Sequence, residues 1–181
     1  MSRDSKALPI EAILQEWLDD ADVTLFCGQW GQGGVMELLP AGGAKLSGPR
    51  YDPPFDRLRE LRLDDGAHHV HLDLGRLTHA WYVMTASVCY GFRPSFELRL
   101  TGVDGEPLVS FGLGLALRHP YAKGRLRTES VSRYFRRAAE HLERFPESVS
   151  LVCDRSGAPH GAQSDWDAIE PFLAAMESPR A

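Results

Sequence analysis

Cysteine is scarce in this 181-residue chain: Cys27, Cys89 and Cys153 are three in number, stand far apart and form no C-x-x-C pair. An odd, dispersed set excludes a disulfide framework and a thiolate zinc site, so the thiols are read as reduced and structural. No apolar run approaches the roughly 20 residues that a membrane helix requires, and the first residues lack the charged, apolar and small-residue regions of a secretory leader. A cytoplasmic protein without membrane contact is the expectation. Basic residues are outnumbered, 20 Lys and Arg against 25 Asp and Glu, for a formal net charge of −5. A general nucleic-acid binder draws its affinity from excess Lys and Arg facing phosphates, so that class is set aside. A P-loop, a G-x-S-x-G elbow, an H-E-x-x-H helix and a placed G-x-G-x-x-G are all missing, and no carboxylate pair stands in an apolar setting that would tune an acid and a base apart. Enzymatic activity does not follow from these residues. No internal repeat or low-complexity tract occurs.

The chain does have enough apolar residues, 43%, to bury the core of one ordinary domain. The expected organisation is a single domain over residues 1–181, with an N-terminal helix in 1–20, the sheet and a long helix in 22–153, and a helical extension in 154–181. Residues 8–19 place Ile10, Ile13, Leu14, Trp17 and Leu18 at helical spacing, with Pro9 tolerated in the first turn. Residues 22–27 and 35–39 read as short strands joined by a glycine-rich connection, and 40–55, with its glycines and prolines, as a long irregular loop. Alternation then marks strands at 58–63, 67–74, 79–85, 94–101 and 107–117. The Asp104-Gly105 pair supplies a tight hairpin, which favours antiparallel pairing. Residues 128–144 form an amphipathic helix with Val131, Phe135, Ala138 and Leu142 on one stripe; a strand at 149–153 and a helix at 164–176 follow. The fold class is α+β, an extended antiparallel sheet flanked by helices.

Three of the seven histidines fall in His68-His69-Val70-His71. The period of two puts His69, His71 and Asp73 on one face of their strand and Val70, Leu72 and Leu74 on the other. Two imidazoles so spaced can reach one metal ion, which makes His69 and His71 the candidate metal ligands; a solvent-facing pair is the equal alternative. His79 shares a face with Trp81 and Val83 and reads as a hydrogen-bonded core histidine. In the strand that begins at Pro107, Ser110, Gly112, Gly114 and Ala116 form a nearly flat face, fit either for a planar ring or for close packing of the 128–144 helix. Arg118, Lys123, Arg125 and Arg127 follow it, a basic surface suited to a small anion, or simply a solvated helix face.

The run from His69 to Asp73, then Leu77-Thr78-His79-Ala80-Trp81-Tyr82-Val83, Tyr90-Gly91, Ser95-Phe96-Glu97-Leu98 and Asp104-Gly105, resembles the repeat unit of the haemin-utilisation proteins of the HemS/ChuS and ChuX/HutX type. There a strand leads into an A-W-x-V strand, a Y-G turn, an S-x-E-L-F strand, a D-G hairpin and a closing strand before a helix. The likeness covers residues 22–142, and the length matches the single-unit form.

The resemblance implies a HemS/ChuX-like sheet, haem as cofactor and partner, a role in haem binding or trafficking, and a homodimer of single-unit chains. It implies haem degradation only by analogy with some two-unit members. His71 stands near a family histidine implicated in haem binding and is the first candidate axial ligand, with His69 beside it. The helix that carries the iron-ligating histidine of the two-unit proteins has no match here. Arg118, Arg125 and Arg127 are inferred from charge and position as propionate partners, and Gly112 and Gly114 as the flat support for the macrocycle. Two further readings stand beside this one: a histidine-based metal-binding domain or small metalloenzyme, and an interaction module that keeps the fold without haem.

Overall fold

A computed structural model describes residues 9–18, 24–27, 36–38, 44–46, 58–63, 69–87, 91–102, 104–105, 107–112, 120–122, 124–156 and 163–177. Helix α1 (Pro9–Leu18) buries Ile10, Ile13, Leu14, Trp17 and Leu18, the residues whose spacing marks the stripe in the sequence. Strands β1 (Thr24–Cys27) and β2 (Met36–Leu38) pair as an antiparallel hairpin. Strand β3 (Ala44–Leu46) lies inside the segment expected to be irregular and pairs with β4 (Leu58–Leu63). Three residues between glycines and prolines leave too short a pattern to be read beforehand. Strand β5 (His69–Asp73) completes this three-stranded sheet.

The larger sheet has six strands, ordered β11-β6-β7-β8-β1-β2 with the strands numbered along the chain. Its long members are β6 (Leu77–Ser87) and β7 (Arg93–Gly102), paired antiparallel through a turn in which Gly91 and Phe92 both have φ 64°. Glycine takes that conformation freely; phenylalanine does so at a cost, and here its amide donates to Ser87 O at 2.7 Å. Strand β8 (Pro107–Gly112) follows the Asp104-Gly105 turn, where Gly105 has φ 74° and its amide bonds Gly102 O. Residues 113–117, expected to continue this strand, lie outside the described residues.

A two-stranded ribbon, β9 (Tyr121–Ala122) and β10 (Arg125–Leu126), precedes helix α2 (Thr128–Arg144), which has the bounds its periodicity predicts. Strand β11 (Val149–Asp154) then pairs with β6 in parallel, a departure from a purely antiparallel sheet. The connection through α2 explains the direction: a helical crossover returns the chain to the same end of the sheet. The single helix expected at 164–176 is two, α3 (Gln163–Asp167) and α4 (Glu170–Glu177), separated where Ile169 N–H turns back to Trp166 O.

The core lies on one face of the large sheet. Ala80, Tyr82 and Met84 of β6, Phe96, Leu98 and Leu100 of β7, and Val109 and Phe111 of β8 point to the side covered by α1 and α2. Tyr134 of α2 sits at its centre, its ring 5.3 Å from Tyr82 and 5.2 Å from Phe96, its hydroxyl reaching Glu97 O at 3.0 Å. Burial at about 25 cal/mol per Å² makes this face the main source of stability. No described helix is long and apolar enough to cross a membrane.

Candidate functional site

Because the core claims the even-numbered residues of β6 and β7, the odd-numbered ones face away from it. The register aligns them in rows across the sheet. One row runs Ser150, Trp81, Arg99, Ser110, and the next runs Val152, Val83, Glu97, Gly112. The small residues Ser110 and Gly112 thus border a charged pair. Helix α2 packs on the opposite face, which corrects the expectation that close helix packing accounts for the small residues in β8. Gly114 lies outside the described residues.

This second face is polar, partly sheltered and hydrogen-bonded along its length. Arg99 Nε–H donates to Glu97 Oε2 at 3.0 Å. Ser95 Oγ stands 3.4 Å from Glu97 Oε1 and 3.1 Å from Thr85 O. Trp81 Nε1–H donates to Thr101 Oγ1 at 3.1 Å, and the His79 ring lies against Trp81 with centroids 4.6 Å apart. His79 Nε2 meets Ser150 Oγ at 2.9 Å. His79 is therefore bonded as expected but half-buried on the outer face, not in the core; the helices already fill the other side. Burial lowers the pKa of this imidazole, a hydrogen bond with the Glu147 backbone opposing that effect. Glu97, Ser95 and Ser110 are buried while Trp81, His79 and Arg99 are half-buried, so the rows slope from closed to open.

The histidine strand belongs to the other sheet. His71 stands opposite Glu60, and His69 opposite Arg62, in the β4–β5 ladder. Leu72 and Leu74 are buried in the core while His71 is exposed, as the alternation predicts. The turn that follows is fixed by Asp73 Oδ1, which accepts the Gly75 amide at 3.1 Å. Among the described residues no three His, Cys, Asp or Glu side chains gather closely enough to hold a metal ion.

Arg125 and Arg127 are exposed on the ribbon leading into α2. The ribbon is held to the start of β7: Arg93 Nη1–H donates to Gly124 O at 2.5 Å, the Arg93 guanidinium lies over the Tyr121 ring, and Tyr121 O–H donates to Pro94 O at 2.8 Å. Arg93 also pairs with Asp165 of α3 at 3.2 Å. Arg118 lies outside the described residues. His71, the Ser110–Gly112 strip and the two arginines consequently occupy three separate elements.

Sequence reasoning passed over Arg99 and His141. Arg99 had a legible signal, since Ser95, Glu97, Arg99 and Thr101 alternate with apolar residues and so share one face. His141 falls on the Tyr134–Ala138 helical stripe and is fully buried beneath α1. There Trp17 Nε1–H donates to Tyr82 Oη (3.0 Å), the Tyr82 hydroxyl to His141 Nδ1 (2.6 Å) and His141 Nε2–H to Glu16 Oε2 (2.8 Å), a proton placement that pairs every group.

Neither a family model nor a curated protein matches the chain. Among solved structures the chain is similar to "Crystal structure of ChuX", at 16% identity over 73% of this chain and 74% of that one, with a TM-score of 0.47.

Proposed function

We propose that this protein binds haem and hands it on in the cytoplasm, working as a homodimer, with His71 as the axial ligand of the iron. The observation that carries the reading is the exposed imidazole of His71 on a strand whose alternate residues, Leu72 and Leu74, are locked in the core. A porphyrin would bring most of the iron's ligands itself, so one exposed imidazole on a fixed strand would meet the chain's share. A bare metal ion asks for three or four protein donors. His71 fits the first requirement. The motif order of the haemin-utilisation resemblance supports the reading, since its strand, turn and hairpin signatures fall on β5, β6, the Gly91 turn, β7 and the Gly105 turn.

His69 is the neighbouring candidate on the same ladder face, and Arg125, Arg127 and Arg118 are the candidate propionate partners. Titration of the full-length protein with haemin, followed at the Soret band, tests the proposal. A saturable shift at one haem per chain or per dimer, lost in His71→Ala, is the expected result. Equal saturation by wild type and His71→Ala removes His71 as ligand, and a non-saturating change removes the haem reading.

A further inference from the structure

Strand β11 covers one edge of β6 and in doing so presents an edge of its own. Ala80 N–H donates to Ser148 O at 2.9 Å, and β11 runs on beside β6 without a register shift. In a parallel ladder alternate residues turn their backbone groups to the same side, so Ser148, Ser150 and Val152 bond toward β6. Val149, Leu151 and Cys153 turn their N–H and C=O groups the other way. Among the described residues no strand pairs with them there, and β11 ends the order of the large sheet.

An edge of this kind invites a strand. Soluble proteins blunt exposed edges with lysine, proline or a bulge; Val149-Ser150-Leu151-Val152-Cys153 contains none of these. Its side chains are also only partly covered. Val149 is 2% exposed and lies in the core, whereas Leu151 and Cys153, packed against that core from the same face, stay half-buried, as does Val152 on the other face.

The strand complements itself. With two copies antiparallel and Leu151 opposite the partner's Leu151, Val149 meets the partner's Cys153. Every outward N–H and C=O of these three residues then faces its counterpart in a closely bonded pair. The helix-side face of the new ladder is apolar, and on the other face Ser150 meets the partner's Val152. Opposite charges fall in line at both ends, since Glu147, exposed on the turn before β11, comes opposite the partner's Arg155, just beyond it. Unlike charges directly opposed favour a pairing, and like charges oppose it. Moving the axis by one residue, to Val152, sets Val149 against Arg155 and loses this match.

We propose that β11 is a self-pairing edge, through which two copies of the chain join their large sheets antiparallel about a two-fold axis at Leu151. Such a pairing uses the edge once in each copy, so it stops at a dimer. The inference deepens the haem reading by giving its homodimer an interface, and needs neither haem nor His71.

Sedimentation velocity of the full-length, haem-free chain across the micromolar range, with reductant present, is the first test. A dimer is expected; a monomer throughout overturns the inference and leaves the edge to a strand of another protein. Leu151→Lys sets two ammonium groups against each other on the axis and should raise the dimer dissociation constant at least about tenfold. Glu147→Lys, on an exposed turn, should raise it severalfold. Leu151→Cys should link the copies by a disulfide under mild oxidation, above the wild-type level, because Cα atoms about 5.5 Å apart in a bonded pair lie within disulfide reach. A dimer that a folded Leu151→Lys or Glu147→Lys variant leaves unchanged, or that Leu151→Cys does not link, overturns the inference. The cross-link and Glu147→Lys decide even if Leu151→Lys fails to fold. A dimer held by another surface overturns this inference and leaves the homodimer of the haem reading standing. A haemin Soret shift in a strictly monomeric chain overturns it and leaves ligation by His71 standing. A β11 dimer without a Soret shift does the reverse.

Discussion

Strand β6 carries two polar clusters on its two faces, and they are built to different ends. Inward, Tyr82 joins Trp17 of α1 and His141 of α2 in a chain that ends at Glu16, itself met by Arg144 at 2.7 Å. The buried donors and acceptors of that chain are paired, as burial demands. Outward, His79 and Trp81 lean on Ser150 and Thr101 but stay half-buried, and on the next strand Arg99 bonds the buried Glu97 carboxylate. The inner network is closed to water, whereas the outer one stays partly open at Trp81, His79 and Arg99. The same strand thus separates the fully buried His141 from the half-buried His79, and their hydrogen-bond partners set the two apart.

Breaking the inner face should cost most. Tyr134→Ala removes a ring packed between Tyr82, Phe96 and Phe135, and a loss of about 3–5 kcal/mol is expected in chemical denaturation. Tyr82→Phe keeps the volume but strands the Trp17 N–H and His141 Nδ1, which should cost about 1–3 kcal/mol in the same assay. For the same reason His141→Ala is a stability variant, unsuited as a neutral control for His71→Ala.

Acid sharpens the contrast. Burial lowers the pKa of His141 from 6.5, the hydrogen bond from its ring to Glu16 opposing but not cancelling that effect. The unfolded chain therefore takes up a proton at a pH where the folded chain does not. Stability should fall as pH drops below about 6.5 and stop falling once the folded pKa is passed. Glu16 acts lower on the scale: burial raises its pKa, but hydrogen bonds and charge from His141 and Arg144 together bring it below 4.5, so its contribution is lost as pH falls through the folded value. Melting temperature against pH should show the first slope in wild type and a shallower one in His141→Gln; equal slopes would assign the titration elsewhere.

The smallest stability changes belong to the outer face. Trp81→Phe removes the bond to Thr101 and should cost about 1 kcal/mol, and Arg99→Lys about 0.5 kcal/mol or less. Outer-face variants that destabilise as much as Tyr82→Phe would erase the distinction between the two faces.

Much of this arrangement is legible in residue spacing. Helix α2 follows its apolar stripe, and the alternation of β5, β6 and β7 assigns each residue to a face. What spacing hides is pairing. Nothing local in Val149–Asp154 says that it runs parallel to β6, and β9 and β10 are too short for a period to show. The small residues of β8 are legible in the sequence, but their neighbours Arg99 and Glu97 come from another strand, so the rows they share appear only once register is known. His69 and His71 show the converse: the sequence sets them side by side, and the fold carries them to a different sheet from that strip.

The parallel β11 has a consequence for how the chain is made. Strand β7 follows β6 by a short turn, yet the other edge of β6 waits for a partner that leaves the ribosome only after all of α2. Until Val149–Asp154 has emerged, β6, the longest strand among the described residues, offers an open row of amides and carbonyls to any passing chain. Premature termination near Arg144 would make that exposure permanent, so the C-terminal strand serves as the seal that completes a newly made copy.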